Sequence, residues 1–368
     1  MSNMSGQAGM AVMSVISFLS IIAACSLTGI FIVRTHHVHG HLSGDSVFGV
    51  QKIHDDDTAR IGGVVVAIGL LVAYLASGPD VRAILGPMLV AGIPAFAFGL
   101  AEDFTKTVGI TTRLLATMAS GVLACWITGI AMQNTGFAPL DWALQWMPLA
   151  ILFTAFAAGG LANAVNIIDG FNGLAAGSLT IMLGALGLMA LSLGDLPVAN
   201  VCFVVACCAL GFGLVNWPFG KLFLGDGGAY LMGFLLAWLA ILLPMRHPDQ
   251  INAWATILVC AYPVLEVAFS VIRRIKREGH HPGQPDRSHL HHFFHRRMVS
   301  VRWPHLHKRL KNGFTAPFCW LMTLLPATLA VIFMRNTWAL AACFVFTACV
   351  YAAVYTRLSQ FRWSFWKK

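Results

Sequence analysis

Residues 223–245 read FLGDGGAYLMGFLLAWLAILLPM. One carboxylate, Asp226, stands among Gly225, Gly227 and Gly228, and the apolar run 228–245 follows it. A charge-free stretch of about 18 or more residues is long enough to be a transmembrane helix. The segment therefore reads as a membrane helix with a glycine-flanked acid at one end.

The pattern recurs along the chain. Apolar runs cover approximately 10–33, 61–78, 83–101, 112–132, 147–165, 174–193, 198–216, 228–245, 251–272, 314–334 and 336–356, which makes eleven candidate spans. The last two meet at a tight hairpin, Arg335-Asn336. Rare polar groups fall at the ends of these runs: Asp103, Asp169, Asp226, His289, His291 and His292. The first run contains Ile22-Ala23-Ala24-Cys25, which resembles a lipoprotein processing site. Residues 1–9 hold no Lys or Arg, however, and the apolar character continues to Val33. A signal peptide needs a positive n-region, so the run reads as a retained membrane helix.

Composition agrees. Of the 368 residues, 58% are hydrophobic and 11% charged, and the mean hydropathy is +0.73. A water-soluble chain could not bury so large an apolar fraction, whereas lipid accommodates it. The net charge of +9 need not mean nucleic acid, because membrane orientation accounts for the basic residues. With the N-terminus outside, all 24 Lys and Arg except Arg82, Arg246 and Arg335 lie on the inner side. That satisfies the positive-inside rule. Acids gather there too. Only Asp80, Asp141, Asp195 and Asp249 fall outside, and Glu266 lies within a span. All nine cysteines sit in apolar runs and none forms a CxxC pair, so they read as small buried hydrophobes. The expected fold is all-α: a polytopic membrane protein of about 10–11 transmembrane helices, with the N-terminus outside and the C-terminus cytoplasmic. Residues 1–368 read as one membrane-embedded domain, with 273–313 as a basic cytoplasmic loop.

Four inner connections carry unusual chemistry. Glu102-Asp103 places adjacent acids at a helix end, suited either to solvation or to orienting a divalent cation. Asn166, Asp169 and Asn172 are spaced three apart, on one face if the helix persists. Gly170 and Gly173 between them permit a backbone departure or a close ligand. Asn216 precedes Gly225-Asp226, where a glycine-rich turn into a helix suits anions and Asp226 can hold a hard cation such as Mg²⁺. A plain helix N-cap is the competing reading of Asp226. Finally, Arg287-Ser288-His289-Leu290-His291-His292 lies in the basic loop. His-x-His-His can bind a transition metal, but no second Cys or His set supports that. Arg287 and the histidines fit phosphate better.

These segments, in this order, resemble the polyprenyl-phosphate N-acetylhexosamine-1-phosphate transferases, over residues 50 to 310. Arg60-Ile-Gly62-Gly63 looks like that family's opening motif, and Glu102-Asp103 like its paired acids. Asn166 to Gly173 matches the Asn-x-x-Asp-Gly segment, and Asn216 with Gly225-Asp226 the next block. His289-Leu-His291-His292 is similar to the His-x-His-His form of the antigen-initiating branch. Two positions depart from the pattern: the paired acids are usually Asp-Asp, and residue 172 is often Asp. Glu102 can still ligate from one methylene further out, whereas Asn172 cannot carry charge.

The resemblance implies transfer of an N-acetylhexosamine-1-phosphate from a UDP-sugar to undecaprenyl phosphate, with release of UMP. It implies Mg²⁺, with Mn²⁺ as a substitute, and a bacterial plasma-membrane site facing the cytoplasm. Asp226 is then the metal ligand, and Asp103, Asp169 and Glu102 are catalytic. Asn166, Asn172, Asn216, Arg113, Arg287, His289, His291 and His292 bind substrate, with Lys52 and His54 as secondary candidates. Nucleic acid is not an expected partner, and a homodimer stays open. A lipid I-forming transferase is the alternative within the family. A transporter is the alternative outside it, although these acids end spans rather than interrupt them.

Overall fold

The computed structural model describes residues 13–43, 58–275 and 288–360. Among the described residues the regular structure is helical. Lipid offers no hydrogen bonds, so a spanning segment must satisfy its own backbone, and a helix does so.

The first helices are α1 (Val15–Arg34), α2 (His36–Ser43), α3 (Gly62–Ala76), α4 (Pro79–Ala91), α5 (Ile93–Thr105) and α6 (Ile110–Thr128). The middle of the chain forms α7 (Ala138–Ala143), α8 (Met147–Ile168), α9 (Leu174–Ser192), α10 (Leu196–Asn216) and α11 (Gly225–Arg246). Then come α12 (Ala253–Val259) and α13 (Ala261–Ile275), and the short α14 (Leu290–Phe293), which continues as a π-helical turn over Phe294–Val299. Last are α15 (Ser300–Arg302), α16 (Lys308–Gly313), α17 (Ala316–Phe333) and α18 (Thr337–Ser359).

Every expected span finds a helical counterpart. Eight helices among the described residues are long and apolar enough to cross a membrane, and two bent pairs bring the number to 10. The eleventh candidate is α3, a shorter apolar helix. Its 15 residues reach about 22 Å at the usual rise, short of a hydrocarbon core about 30 Å thick. Its first two N–H groups bond within the protein: Gly62 donates to Phe223 O at 2.9 Å and Gly63 to Leu224 O at 2.8 Å. Cys25 lies in the middle of α1, fully buried, and all nine cysteines are free. The hairpin after α17 is as tight as expected, and Asn336 caps α18 by accepting from Ala339 N at 3.0 Å.

Two runs that looked continuous are broken. The run 83–101 falls in α4 and α5, bent by 48°, and 251–272 falls in α12 and α13, bent by 80°. Pro94 and Pro263 follow the breaks. Each lacks an N–H and its ring obstructs the carbonyl four residues earlier. The segment 273–313 is also not a plain loop, because its described part folds into α14, the π-helical turn, α15 and α16. Leu290, His291 and His292 there are buried.

Helix α11 is the axis of the bundle. Residues Gly225 to Pro244 are all buried, as expected of a helix that is apolar on every side. It packs against α8, α5, α3 and α9. The approach of α5 is backbone to backbone: a Cβ on Gly99 would sit 2.7 Å from Asp226 C, Asp226 O and Gly227 Cα. Gly99→Ala should therefore push α5 off α11 and destabilise the protein by about 1–3 kcal/mol. Gly184→Ala, where a Cβ meets nothing within 4 Å, should be neutral or stabilise slightly. Melting curves of the two variants in one detergent give the comparison, and equal melting temperatures would contradict this packing.

Candidate active site

The site begins at the first turn of α11. A helix start leaves N–H groups without partners. Here a residue from another helix supplies them. Asp103, on the last turn of α5, accepts from Asp226 N through Oδ1 and from Gly227 N through Oδ2, both at 2.9 Å. Asp103 is almost fully buried. Gly225 makes the turn possible: its φ is +73°, and a Cβ would meet Arg60 O at 2.1 Å. Asp226 is therefore not the helix cap. The cap position is Leu224, so the carboxylate of Asp226 is left for other partners.

Those partners converge from three elements. Arg60, just before α3, places Nη2 3.3 Å from Asp226 Oδ1 and Nε 3.9 Å from Asp103 Oδ1. Arg113, in the first turn of α6, pairs through Nη1 with Asp226 Oδ2. The same Nη1 lies 4.0 Å from Glu102 Oε1. Asn166, on the last turn of α8, donates to Asp226 Oδ1 at 3.1 Å. Glu102 also accepts from Val108 N at 2.8 Å through Oε2, which closes the turn between α5 and α6.

Asp169 terminates α8. Its withdrawal from water pushes its carboxyl well above the usual range; Asp226 and Asp103 push the same way, and Arg60 offsets this only in part. Helix α8 stops at Ile168, so the three-residue spacing of Asn166, Asp169 and Asn172 does not continue on one face. Asn166 faces Asp226. Asn172 instead donates to Pro218 O at 3.0 Å, and its own N–H donates to Asn312 Oδ1 at 2.7 Å. Asn216, at the end of α10, is engaged in the same way: Oδ1 accepts from Gly173 N at 2.5 Å and Nδ2 donates to Leu222 O at 2.7 Å. Both asparagines are buried, and their bonds hold backbone around the site.

The histidines form one wall. His289, His291 and His292 are all buried, with ring centroids 5.3 Å, 5.8 Å and 4.5 Å apart in the pairs 289–291, 289–292 and 291–292. Phe171, two residues beyond Asp169, touches His291 and His292, each at a centroid distance of 5.4 Å. Burial, then His292 and His289, hold His291 well below the usual imidazole range, so it is neutral at pH 7. Arg287, Lys52 and His54 lie outside the described residues.

Sequence reasoning missed the ion pairs of Arg60, although its motif was noted. The only signal was a cation one residue removed from Gly62-Gly63 and the apolar run that follows. Among the described residues no group of three or more His, Cys, Asp or Glu forms a ready metal cage. Mg²⁺ does not require one, because it is usually bound by one or two carboxylates together with substrate phosphates. Asp226 and Asp169 offer hard oxygen donors of that kind. Cationic arginines, carboxylates and a row of buried imidazoles at one end of an apolar bundle suit phosphoryl chemistry.

Comparison with known proteins points the same way. Residues 85–244 match the family model described as "Glycosyl transferase family 4". A decaprenyl-phosphate N-acetylglucosaminephosphotransferase of Mycobacterium leprae (strain TN) is 30% identical over 295 residues, covering 71% of this chain and 70% of its own. The chain belongs to glycosyl transferase family 4. Within it, the polyprenyl-phosphate hexosamine-1-phosphate transferases are the relatives anticipated from the motifs. A Bacillus subtilis (strain 168) protein named "Probable undecaprenyl-phosphate N-acetylglucosaminyl 1-phosphate transferase" is 30% identical, over 66% of this chain and 67% of its own. The undecaprenyl-phosphate alpha-N-acetylglucosaminyl 1-phosphate transferase of Yersinia pestis is 27% identical, over 77% and 74%. This family 4 chain is thus a multi-pass membrane enzyme that transfers a phospho-sugar.

The raised Asp169 gives a stability test. A carboxyl that ionises less readily in the folded state than in the unfolded one destabilises the fold once pH exceeds the ordinary carboxylate range. Asp169→Asn should therefore raise the melting temperature of protein kept free of divalent cations, and raise it more at pH 8 than at pH 5. A gain that shrinks with rising pH would show the sign to be wrong.

Proposed function

We propose that this enzyme transfers N-acetylglucosamine-1-phosphate from UDP-N-acetylglucosamine to undecaprenyl phosphate, initiating a lipid-linked cell-envelope glycan. The relatives' names support the sugar and the lipid. The observation that carries the reading is the pairing of Arg60 and Arg113 with Asp226 at the start of α11. The excess of Lys and Arg on the same side supports a cytoplasmic site in the bacterial plasma membrane. A water-soluble nucleotide sugar and a lipid phosphate can meet only at such an interface.

In the reaction a lipid-phosphate oxygen attacks the sugar-bearing phosphorus of the donor. The bond from that phosphorus to the bridging oxygen breaks, and UMP leaves with the oxygen and the electron pair. The second pKa of a phosphate monoester is near about 6, so the lipid phosphate is already largely dianionic at neutral pH. No strong base is required. Asp103 agrees with that account, since both of its oxygens accept helix N–H groups. Its role is to hold Asp226 and the start of α11 in place. Arg60 and Arg113 bind phosphate oxygens and oppose the negative charge that grows on the leaving group. The histidine wall and Asn166 orient the donor. Mg²⁺, held by Asp226 with Asp169 beside it, would offset the charge of the diphosphate.

The direct test is UMP release by the purified protein with undecaprenyl phosphate and a panel of UDP-N-acetylhexosamines. UDP-N-acetylglucosamine should be the best donor, and release of UMP should require the lipid. Asp226→Asn should lower kcat by about 100-fold or more with little change in melting temperature. Near-normal turnover of that variant would remove Asp226 from the reaction. A tag near residue 290 found on the outer surface would remove the cytoplasmic assignment.

A further inference from the structure

Glu266 has no part in the mechanism above. It lies inside the bent pair α12–α13, it is almost fully buried, and no neighbouring Lys or Arg pairs with it among the ion pairs of the described residues. A carboxylate in such a place needs a reason, because burying an unpaired charge is expensive. Its partners lie in the histidine segment. Glu266 Oε1 accepts from Leu290 N at 3.0 Å and stands 3.0 Å from His289 Nδ1. Leu290 is the first residue of α14, so one oxygen holds both the start of that helix and the ring beside it.

An ionised Glu266 would fix the tautomer of His289. Carboxylate Oε1 can only accept, so His289 Nδ1 carries the proton and Nε2 is the nitrogen left for another partner. Neighbouring contacts brace the same point. Tyr355 of α18 donates to Ser288 O at 2.9 Å, and Arg273 of α13 reaches the same carbonyl at 3.0 Å. The His289 ring in turn stacks on His291, which packs on Phe171 near Asp169. A displaced Glu266 would therefore shift the whole histidine wall relative to the carboxylates.

We propose that Glu266 is a positioning residue for phospho-sugar transfer: from inside the membrane it sets the ring orientation and tautomer of His289 and anchors the histidine wall against Asp169. This rests on the reading of His289, His291 and His292 as groups that contact the donor. Groups that orient a metal-bound His typically matter by about 10–100-fold, and a loss of similar size is expected for a phosphate-facing one.

The test separates reach from charge. Glu266→Gln keeps the oxygen at the same distance, and Leu290 N–H, which needs an acceptor, turns the amide oxygen rather than the nitrogen toward it. His289 Nδ1–H then keeps its acceptor too. Glu266→Asp keeps the charge but withdraws the oxygens by one methylene. Measured on the full-length protein in detergent, with UMP release as the signal, Glu266→Gln should stay within about 5-fold of wild-type kcat/KM. Glu266→Asp and Glu266→Ala should fall by about 10-fold or more. On a His289→Ala background, Glu266→Ala should add little further loss, because the two act as one unit. A merely structural Glu266 would instead give additive losses that follow the melting temperature. If Glu266→Ala does not fold, the order of Gln and Asp still decides, and Asp above Gln overturns the inference. Wild-type rates in Glu266→Asp and Glu266→Ala overturn it as well, leaving the phosphotransfer reading intact when His289→Ala is impaired. Wild-type rates in His289→Ala would remove the histidines from the site and this inference with them.

Discussion

The site depends on one carboxylate that ends one helix and starts another. Asp103 satisfies two N–H groups of α11 from the last turn of α5. Negative charge at a helix N-terminus is favourable, and more so away from water. Nothing local could do the same work, because the turn entering α11 is held in a left-handed glycine conformation and its cap position is a leucine. Without Asp103 the start of the most buried helix would carry bare N–H groups against apolar neighbours. Arg60, Arg113 and Asn166 all converge on the residue that this cap fixes, so their geometry follows from it.

The asparagines show why residue type matters as much as polarity. Asn172 donates to a backbone carbonyl, Pro218 O. An aspartate there would set a carboxylate against a carbonyl oxygen, acceptor against acceptor, and would lose the bond. Asn172 therefore fits this chain's local geometry. Asn216 likewise uses one amide oxygen and one amide nitrogen to tie Gly173 to the loop at Leu222. Together they lock the segments beside Asp169 and Asp226 into one frame, which leaves the acids to set the electrostatics.

The spans were legible because apolar length and charge placement are local properties. All eleven runs fold as helix, nine as single helices and two as bent pairs, and most of the acids stood at their ends. The motif order brought out Asp103, Asp169, Asp226 and the histidines for the same reason. What escaped notice is non-local. Arg60 meets Asp226 across 166 positions and Asp103 meets it across 123, and no periodicity encodes such a meeting. The bends at Gly92 and Cys260 were hidden because a proline in an apolar run keeps its hydropathy while removing a hydrogen bond. Glu266 was noticed as the one acid within a span, but its partners His289 and Leu290 lie within the segment that pattern reading treated as loop.

The two ends of the bundle make different use of the same residue types. At the end away from the site, Asp195 is buried beside Arg246 and His247, with Nε of Arg246 2.6 Å and Nε2 of His247 2.9 Å from Oδ2. Burial alone would push Asp195 up, but hydrogen bonds from Arg246 and His247 prevail and hold it below the usual carboxylate range. Each charge there has its counterpart, and the cluster joins α10 to α11. At the other end Asp169 is pushed up, because Asp103 and Asp226 add to the effect of burial and a single arginine does not balance them. A fold selected for stability alone would gain by neutralising that residue. Keeping more carboxyl groups than arginines there is what a site needs if its remaining partners, a cation and phosphates, arrive with the substrate.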